Sequence, residues 1–169
     1  MTQLERNGDI VRLTSYAPLR AKIGRTQWTP NLVYFTNTHV YPTINYHVQK
    51  LFGSNAGDTW LDTHAGNSGV ADQVALSMVR DSKTGDLILK VVNPGDTVKG
   101  LRIKLGGAKN FIPGAVKTVL AGDPKAENTP GNPTPLLPVT TQIKISELFD
   151  CEAPARSLTV IRIKQMKNG

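Results

Sequence analysis

The sequence predicts a mainly β protein, an antiparallel β-sandwich preceded by a helix, a strand and a second helix. Three observations predict it. Leu101-Arg102-Ile103-Lys104-Leu105, Ile143-Lys144-Ile145 and Ile161-Arg162-Ile163-Lys164 alternate apolar with basic residues, the period of a strand with one face inward and the other in solvent. Turn formers separate such runs, in Asn93-Pro94-Gly95-Asp96, Gly106-Gly107 and Gly122-Asp123-Pro124, and short strands at this spacing without a helical period indicate a sandwich. The texture also changes near Gly57, before which apolar residues fall at helical spacing. At 169 residues the chain is long enough for one domain, or one domain with an appendage, whose core closes without disulfides.

Taken in order, residues 4–13 set Leu4, Ile10, Val11 and Leu13 among charged side chains, an amphipathic helix ended by the proline of Tyr16-Ala17-Pro18-Leu19, which lacks a donor and clashes with the preceding turn. Leu32-Val33-Tyr34-Phe35 is a continuous apolar run, suited to a strand buried on both faces as in parallel sheets. Pro42 fits the first position of a helix, Ile44, Val48, Leu51 and Phe52 share one helical face, and Gly53 marks the stop. Residues 31–53 then form a strand–helix unit that cannot fold alone, since a parallel strand needs neighbours. Further strands are expected at 74–79, 87–92 and 115–120. Residues 123–138 hold five prolines and little apolar pattern; the expectation is a surface loop that is tolerated rather than functional.

Composition narrows the class. With 39% hydrophobic and 20% charged residues, disorder, collagen and coiled coil are excluded. Apolar runs reach only about four residues where a membrane helix needs about 20, and the first residues carry no apolar stretch of signal-peptide type, which leaves the compartment open. A single cysteine, Cys151, excludes an internal disulfide and a thiolate metal cluster. The net charge of +7 divides evenly, +4 over residues 1–56 and +3 over 57–169. It contains no basic block and no aromatic motif for stacking bases, so basic side chains on solvent faces of strands are expected, not a nucleic-acid site.

Few residues offer chemistry. The glutamates are Glu5, Glu127, Glu147 and Glu152; none pairs with another across a cleft as sugar hydrolysis needs, and all are expected to be solvated surface acids, Glu147 and Glu152 following a strand. His39, His47 and His64 match no zinc spacing, with His47 on the polar side of its helix. No metal or cofactor is expected. Cys151 has no histidine recognisably paired with it and reads as a half-buried inert thiol. Ala65-Gly66-Asn67-Ser68-Gly69 neither follows a strand nor opens a helix, which discounts it as a phosphate loop. Trp28 and Trp60 could stack on sugar faces, so a non-catalytic carbohydrate-binding module is the alternative function; the competing expectation places both indoles in a core or interface.

Glu5-Arg6-Asn7-Gly8-Asp9-Ile10-Val11, Ser15-Tyr16-Ala17-Pro18-Leu19 and Thr26-Gln27-Trp28-Thr29-Pro30-Asn31-Leu32-Val33-Tyr34-Phe35 resemble the C-terminal region of glycoside hydrolase family 51 α-L-arabinofuranosidases. Tyr41-Pro42-Thr43-Ile44-Asn45-Tyr46, Val48-Gln49-Lys50-Leu51-Phe52-Gly53, Val79-Arg80-Asp81-Ser82-Lys83-Thr84-Gly85-Asp86 and Leu158-Thr159-Val160-Ile161-Arg162-Ile163 continue the likeness in the same order.

The resemblance implies an antiparallel jelly-roll-type β-sandwich preceded by a helix–strand–helix remnant of a (β/α)8 barrel. Residues 1–56 would be the terminal part of the barrel and 57–169 the sandwich. It further implies that both catalytic glutamates lie on earlier barrel strands, so that no residue here is catalytic. Trp28 and Asn31 are the two positions where a substrate contact is expected. As partners it implies the catalytic barrel of the same protein and, through it, arabinose-containing polysaccharide. The apolar faces around residues 32–35 and 44–52 would otherwise seek a second copy of the chain or aggregate. Completing a barrel in trans is a third possibility.

Overall fold

The computed structural model describes residues 1–63, 73–106, 110–123, 126–133 and 136–166. Helix α1 (Thr2–Arg6) is followed by three short strands, β1 (Arg20–Lys22), β2 (Val33–Phe35) and β3 (Val40–Pro42), and by helix α2 (Ile44–Ser54). Among the described residues eight strands follow: β4 (Thr59–Leu61), β5 (Ala75–Arg80), β6 (Leu87–Asn93), β7 (Lys99–Lys104), β8 (Phe111–Ala121), β9 (Val139–Lys144), β10 (Leu148–Ala153) and β11 (Ser157–Gln165). They form a six-stranded antiparallel sheet in the order β4-β5-β6-β11-β8-β9 and a two-stranded antiparallel sheet, β7 with β10. The expected sandwich is therefore present, and its second layer is the smaller.

The large sheet is covered on both faces. Strands alternate side chains between faces, and β6 and β11 are apolar on each: Leu87, Leu89, Val91, Ile161 and Ile163 meet Phe149, Cys151 and Ala153 of β10 in one core. Ile88, Leu158 and Val160 meet Leu51 and Phe52 of α2 in a second. The alternation read in residues 101–105 is borne out, with Leu101 and Ile103 packed on the first core and Arg102 and Lys104 exposed. Strand β10 was not foreseen: it places Phe149, Cys151 and Ala153 inward and Leu148, Asp150 and Glu152 outward. Glu152 thus lies within a strand, not beyond one.

The joints are polar. Arg162 binds Asp86 Oδ2 through Nε at 2.6 Å and Asp81 Oδ2 through Nη2 at 3.1 Å, holding the β5–β6 turn, where Gly85 adopts φ +79°, a conformation that suits glycine. Asn93 is buried, and its Nδ2 donates to the carbonyls of Thr97, Ala153 and Pro154 at 2.9, 3.0 and 2.9 Å. Its Oδ1 accepts from Gly95 N at 3.0 Å. One amide therefore ties the β6–β7 turn to the end of β10.

The N-terminal part departs from expectation in four ways. Helix α1 ends at Arg6, because Asn7 turns its side chain back to Gln3 O at 2.7 Å and Gly8 follows; asparagine competes with the helical ladder in this way. Ile10 and Leu13 are 77% and 89% exposed, and an apolar face with nothing against it gives a helix no reason to continue. Strand β2 is half-buried rather than buried on both faces, parallel to β1 (Ala21 opposite Tyr34) but antiparallel to β3 (Tyr34 opposite Tyr41). Pro42 ends β3, and Thr43 caps α2 by accepting from Tyr46 N at 3.4 Å. Gly53 lies inside α2, which stops at the Asn55 cap.

One further expectation is corrected. Lys90 is not on a solvent face: it is 0% exposed in β6, with its ammonium 2.6 Å from Glu5 Oε1. Within the segment expected as a surface loop, Asn128 is buried and donates from Nδ2 to Pro42 O at 2.7 Å, a contact with the entry to α2.

Candidate functional site

A cavity of about 1050 Å³ lies where the N-terminal elements meet the large sheet. Its apolar floor comes from Ile44, Val48 and Phe52 of α2 and from Val92, Leu120 and Leu158 of β6, β8 and β11. Thr29, Pro30 and Tyr34 form one wall, and Glu127, Asn128 and Thr129 of the docked loop another. Asp96 and Arg156 mark the rim, paired at 2.5 Å, so that the guanidinium holds the Asp96 carboxyl below its usual range. The arrangement suits an apolar occupant with a few polar groups at its margin.

Asn31 ties the wall together. That side chain is buried and donates from Nδ2 to Trp28 O at 2.5 Å and to Thr26 Oγ1 at 3.2 Å, while its backbone N donates to Tyr34 Oη at 3.0 Å. Thr29 also bonds Tyr34 Oη, at 3.2 Å, and this contact leads those that lower the tyrosine pKa. Asn31 therefore organises the loop, and Trp28, 71% exposed, is what the loop presents. Trp60 differs: it packs in the second core with the Arg6 guanidinium 5.6 Å from its ring, which removes it as an exposed sugar platform.

The other candidates are dispersed. Glu5 is not a solvated acid, since Lys90 and Ser77 hold its two oxygens, each at 2.6 Å. Glu147 and Glu152 are exposed, Glu147 at a bend before β10 and Glu152 within it; the strand from Leu148 to Glu152 alone spans roughly 14 Å, wider than the ~5–9.5 Å at which two carboxyls share a glycosidic bond. Glu127 lines the cavity wall. Cys151 is buried, and burial pushes its thiol pKa up, the condition of an inert thiol. His39 is exposed and bonds Thr38 Oγ1 at 2.7 Å through Nδ1. His47 is half-buried, not on a polar face, and burial lowers its pKa. Among the described residues no group of three His, Cys, Asp or Glu could hold a metal ion, and no helix is long and apolar enough to cross a membrane. His64 and residues 65–69 lie outside the described residues.

The sequence missed Asn93, Asn128 and Lys90. A lysine inside the apolar run of residues 87–92 was the available sign of Lys90; nothing local marks the two asparagines.

Residues 1–157 match the family described as "Alpha-L-arabinofuranosidase C-terminal domain". Alpha-L-arabinofuranosidase 2 of Arabidopsis thaliana is 32% identical over 150 residues, 87% of this chain and 22% of the relative. An extracellular exo-α-L-arabinofuranosidase of Streptomyces chartreusis is 55% identical over 65 residues, 38% of this chain and 8% of the relative. A GH51 α-L-arabinofuranosidase solved with arabinose bound superposes with a TM-score of 0.91 at 35% identity, over 98% of this chain and 26% of that one. The Thermotoga maritima α-L-arabinofuranosidase shares the fold at a TM-score of 0.82 and 19% identity. The chain thus spans about a quarter or less of the length of these fuller matches, 22% and 26%. Matched from its first residue to Leu158's neighbour Ser157 and superposed over nearly its whole length, the chain belongs to the α-L-arabinofuranosidase C-terminal domain family.

Proposed function

We propose that this chain serves as the accessory C-terminal part of a larger α-L-arabinofuranosidase, in which the catalytic barrel of the same protein removes terminal arabinofuranosyl groups from hemicellulose or pectin side chains. Residues 1–56 would supply the end of that barrel and residues 57–169 the sandwich that covers it. One observation carries the reading. The N-terminal elements bury Leu51 and Phe52 in the second core, yet leave Ile10, Leu13, Leu19 and Val40 exposed. Such a surface fits a segment held between the sandwich and a further layer. In this setting Trp28 is a sugar-stacking contact and Asn31 the residue that positions it.

Two measurements test the proposal. Purified chain of confirmed mass should show no hydrolysis of an aryl α-L-arabinofuranoside above blank, because Lys90 and Ser77 hold Glu5 and Glu147 and Glu152 are set apart, one before β10 and one within it. Reproducible turnover, lost on replacing Glu147 or Glu152, would overturn the accessory reading. The expected partner-seeking face at residues 44–52 is largely taken up by the chain's own sandwich, through Leu51 and Phe52, so the same chain should self-associate instead through the exposed Ile10, Leu13, Leu19 and Val40. Light scattering at high concentration should detect a dimer or larger species, and a clean monomer that binds no apolar dye would count against the surface.

A further inference from the structure

Three elements meet at Lys90. Glu5 of α1 accepts from its ammonium at 2.6 Å, Ser77 of β5 donates to the other oxygen of Glu5 at 2.6 Å, and the Phe52 ring of α2 stands 5.4 Å from the ammonium. The partners are 85 and 72 positions from Glu5 in sequence, so no local turn brings them together. The surrounding face of the sheet is apolar, through Val79, Ile88, Leu158 and Val160, and would accept a short helix in several registers. A charged spot accepts it in one. We propose that Ser77 and Lys90 form a built receptor for a single carboxylate, that of Glu5, and that this contact sets where α1 sits on the sandwich without adding to the sandwich's own stability.

The physics separates these two roles. Burying Lys90 strips its ammonium of water, which lowers its pKa against the pull of Glu5, and in such pairs the desolvation cost offsets most of the attraction. A buried pair of this kind specifies position, as a lone polar residue does in a coiled-coil seam. Helix α1, at five residues, is far below the length that holds itself. It also packs along β5, with Thr2 buried and the Arg6 guanidinium over Trp60. Without the carboxylate contact α1 detaches while the cores beneath stay closed.

Lys90→Met tests this in the full chain, since methionine fills a similar volume in an apolar site. The expected result is a melting midpoint equal to or above that of the unaltered chain, with trypsin cleavage after Arg6 at least about tenfold faster, because cleavage of a locally opened segment tracks its open population. Ser77→Ala reads the same hold without touching a charge and should raise that cleavage while leaving the midpoint in place. Unchanged cleavage in both variants would overturn the proposal, showing α1 held by packing. A midpoint that falls together with faster cleavage, or a Lys90→Met chain that does not fold, would also overturn it, making the pair a source of stability. Neither reading depends on arabinofuranosidase chemistry, so the outcome is distinct from that of the hydrolysis test.

Discussion

Glu5→Ala should destabilise the chain by about 3 kcal/mol, the low end for removing one partner of a buried ion pair. The reason is asymmetric. Lys90 and Glu5 together come close to cancelling their own desolvation, but Lys90 alone is a buried cation facing Ser77 Oγ and the Phe52 ring. The cost stays at the low end because detachment of α1 admits water to the ammonium. In a thermal melt this corresponds to roughly 6–12 °C for a domain of this size. The deficit should also depend on pH. Burial already depresses the Lys90 pKa in the folded chain, and losing Glu5 depresses it further. A base depressed in the folded state gives stability that is present above its unfolded pKa and lost as pH falls through the folded one. The gap between Glu5→Ala and the unaltered chain should therefore narrow as pH rises toward the ordinary lysine range. A loss under about 1 kcal/mol, the scale of an exposed pair, would show that Lys90 is hydrated.

Asn93→Asp should cost as much or more, about 3–5 kcal/mol, although the two side chains have nearly the same shape. The amide nitrogen of Asn93 donates to three carbonyls and its oxygen accepts from Gly95 N. A carboxylate keeps the second role and reverses the first, setting a buried negative charge against the oxygens of Thr97, Ala153 and Pro154. Protonation relieves this, so the carboxyl pKa is raised on folding, and its contribution is present at low pH and lost as pH rises through that folded value. Denaturant melts across pH should show the Asn93→Asp chain recovering on acidification while Asn93→Ala does not. Parallel behaviour of the two variants would mean that the site accommodates the charge with water.

The strands that sequence reveals best are those with one wet face. Residues 101–104 and 161–164 alternate because solvent selects one set of side chains and the core the other. Strand β10 alternates as well, with Phe149, Cys151 and Ala153 buried, but its outward acids drew the reading toward surface chemistry. Strands β1, β3 and β4 are three residues each, too short to express any period. Helix α1 looked longer than it is because Ile10 and Leu13 keep apolar spacing without a surface to bury against. At the candidate site, Trp28 and Asn31 were visible as a motif, but their division of labour was not. Which of the two is exposed depends on hydrogen bonds to Thr26 and Tyr34. The Glu5–Lys90 contact was beyond reach of the sequence, since nothing near either residue names its partner.

The change of texture near Gly57 is a seam in the chain but not in the interior. Leu51 and Phe52, on one side of it, share a core with Val79, Ile88, Leu120, Leu158 and Val160 on the other. Asn128 reaches back across it to Pro42. A cut at the seam would leave the large sheet with one dressed face and one bare face, and a β6 whose alternate side chains had lost their cover. Evolutionary exchange of this sandwich between proteins would therefore have to carry α2 with it, like a lining sewn to its coat.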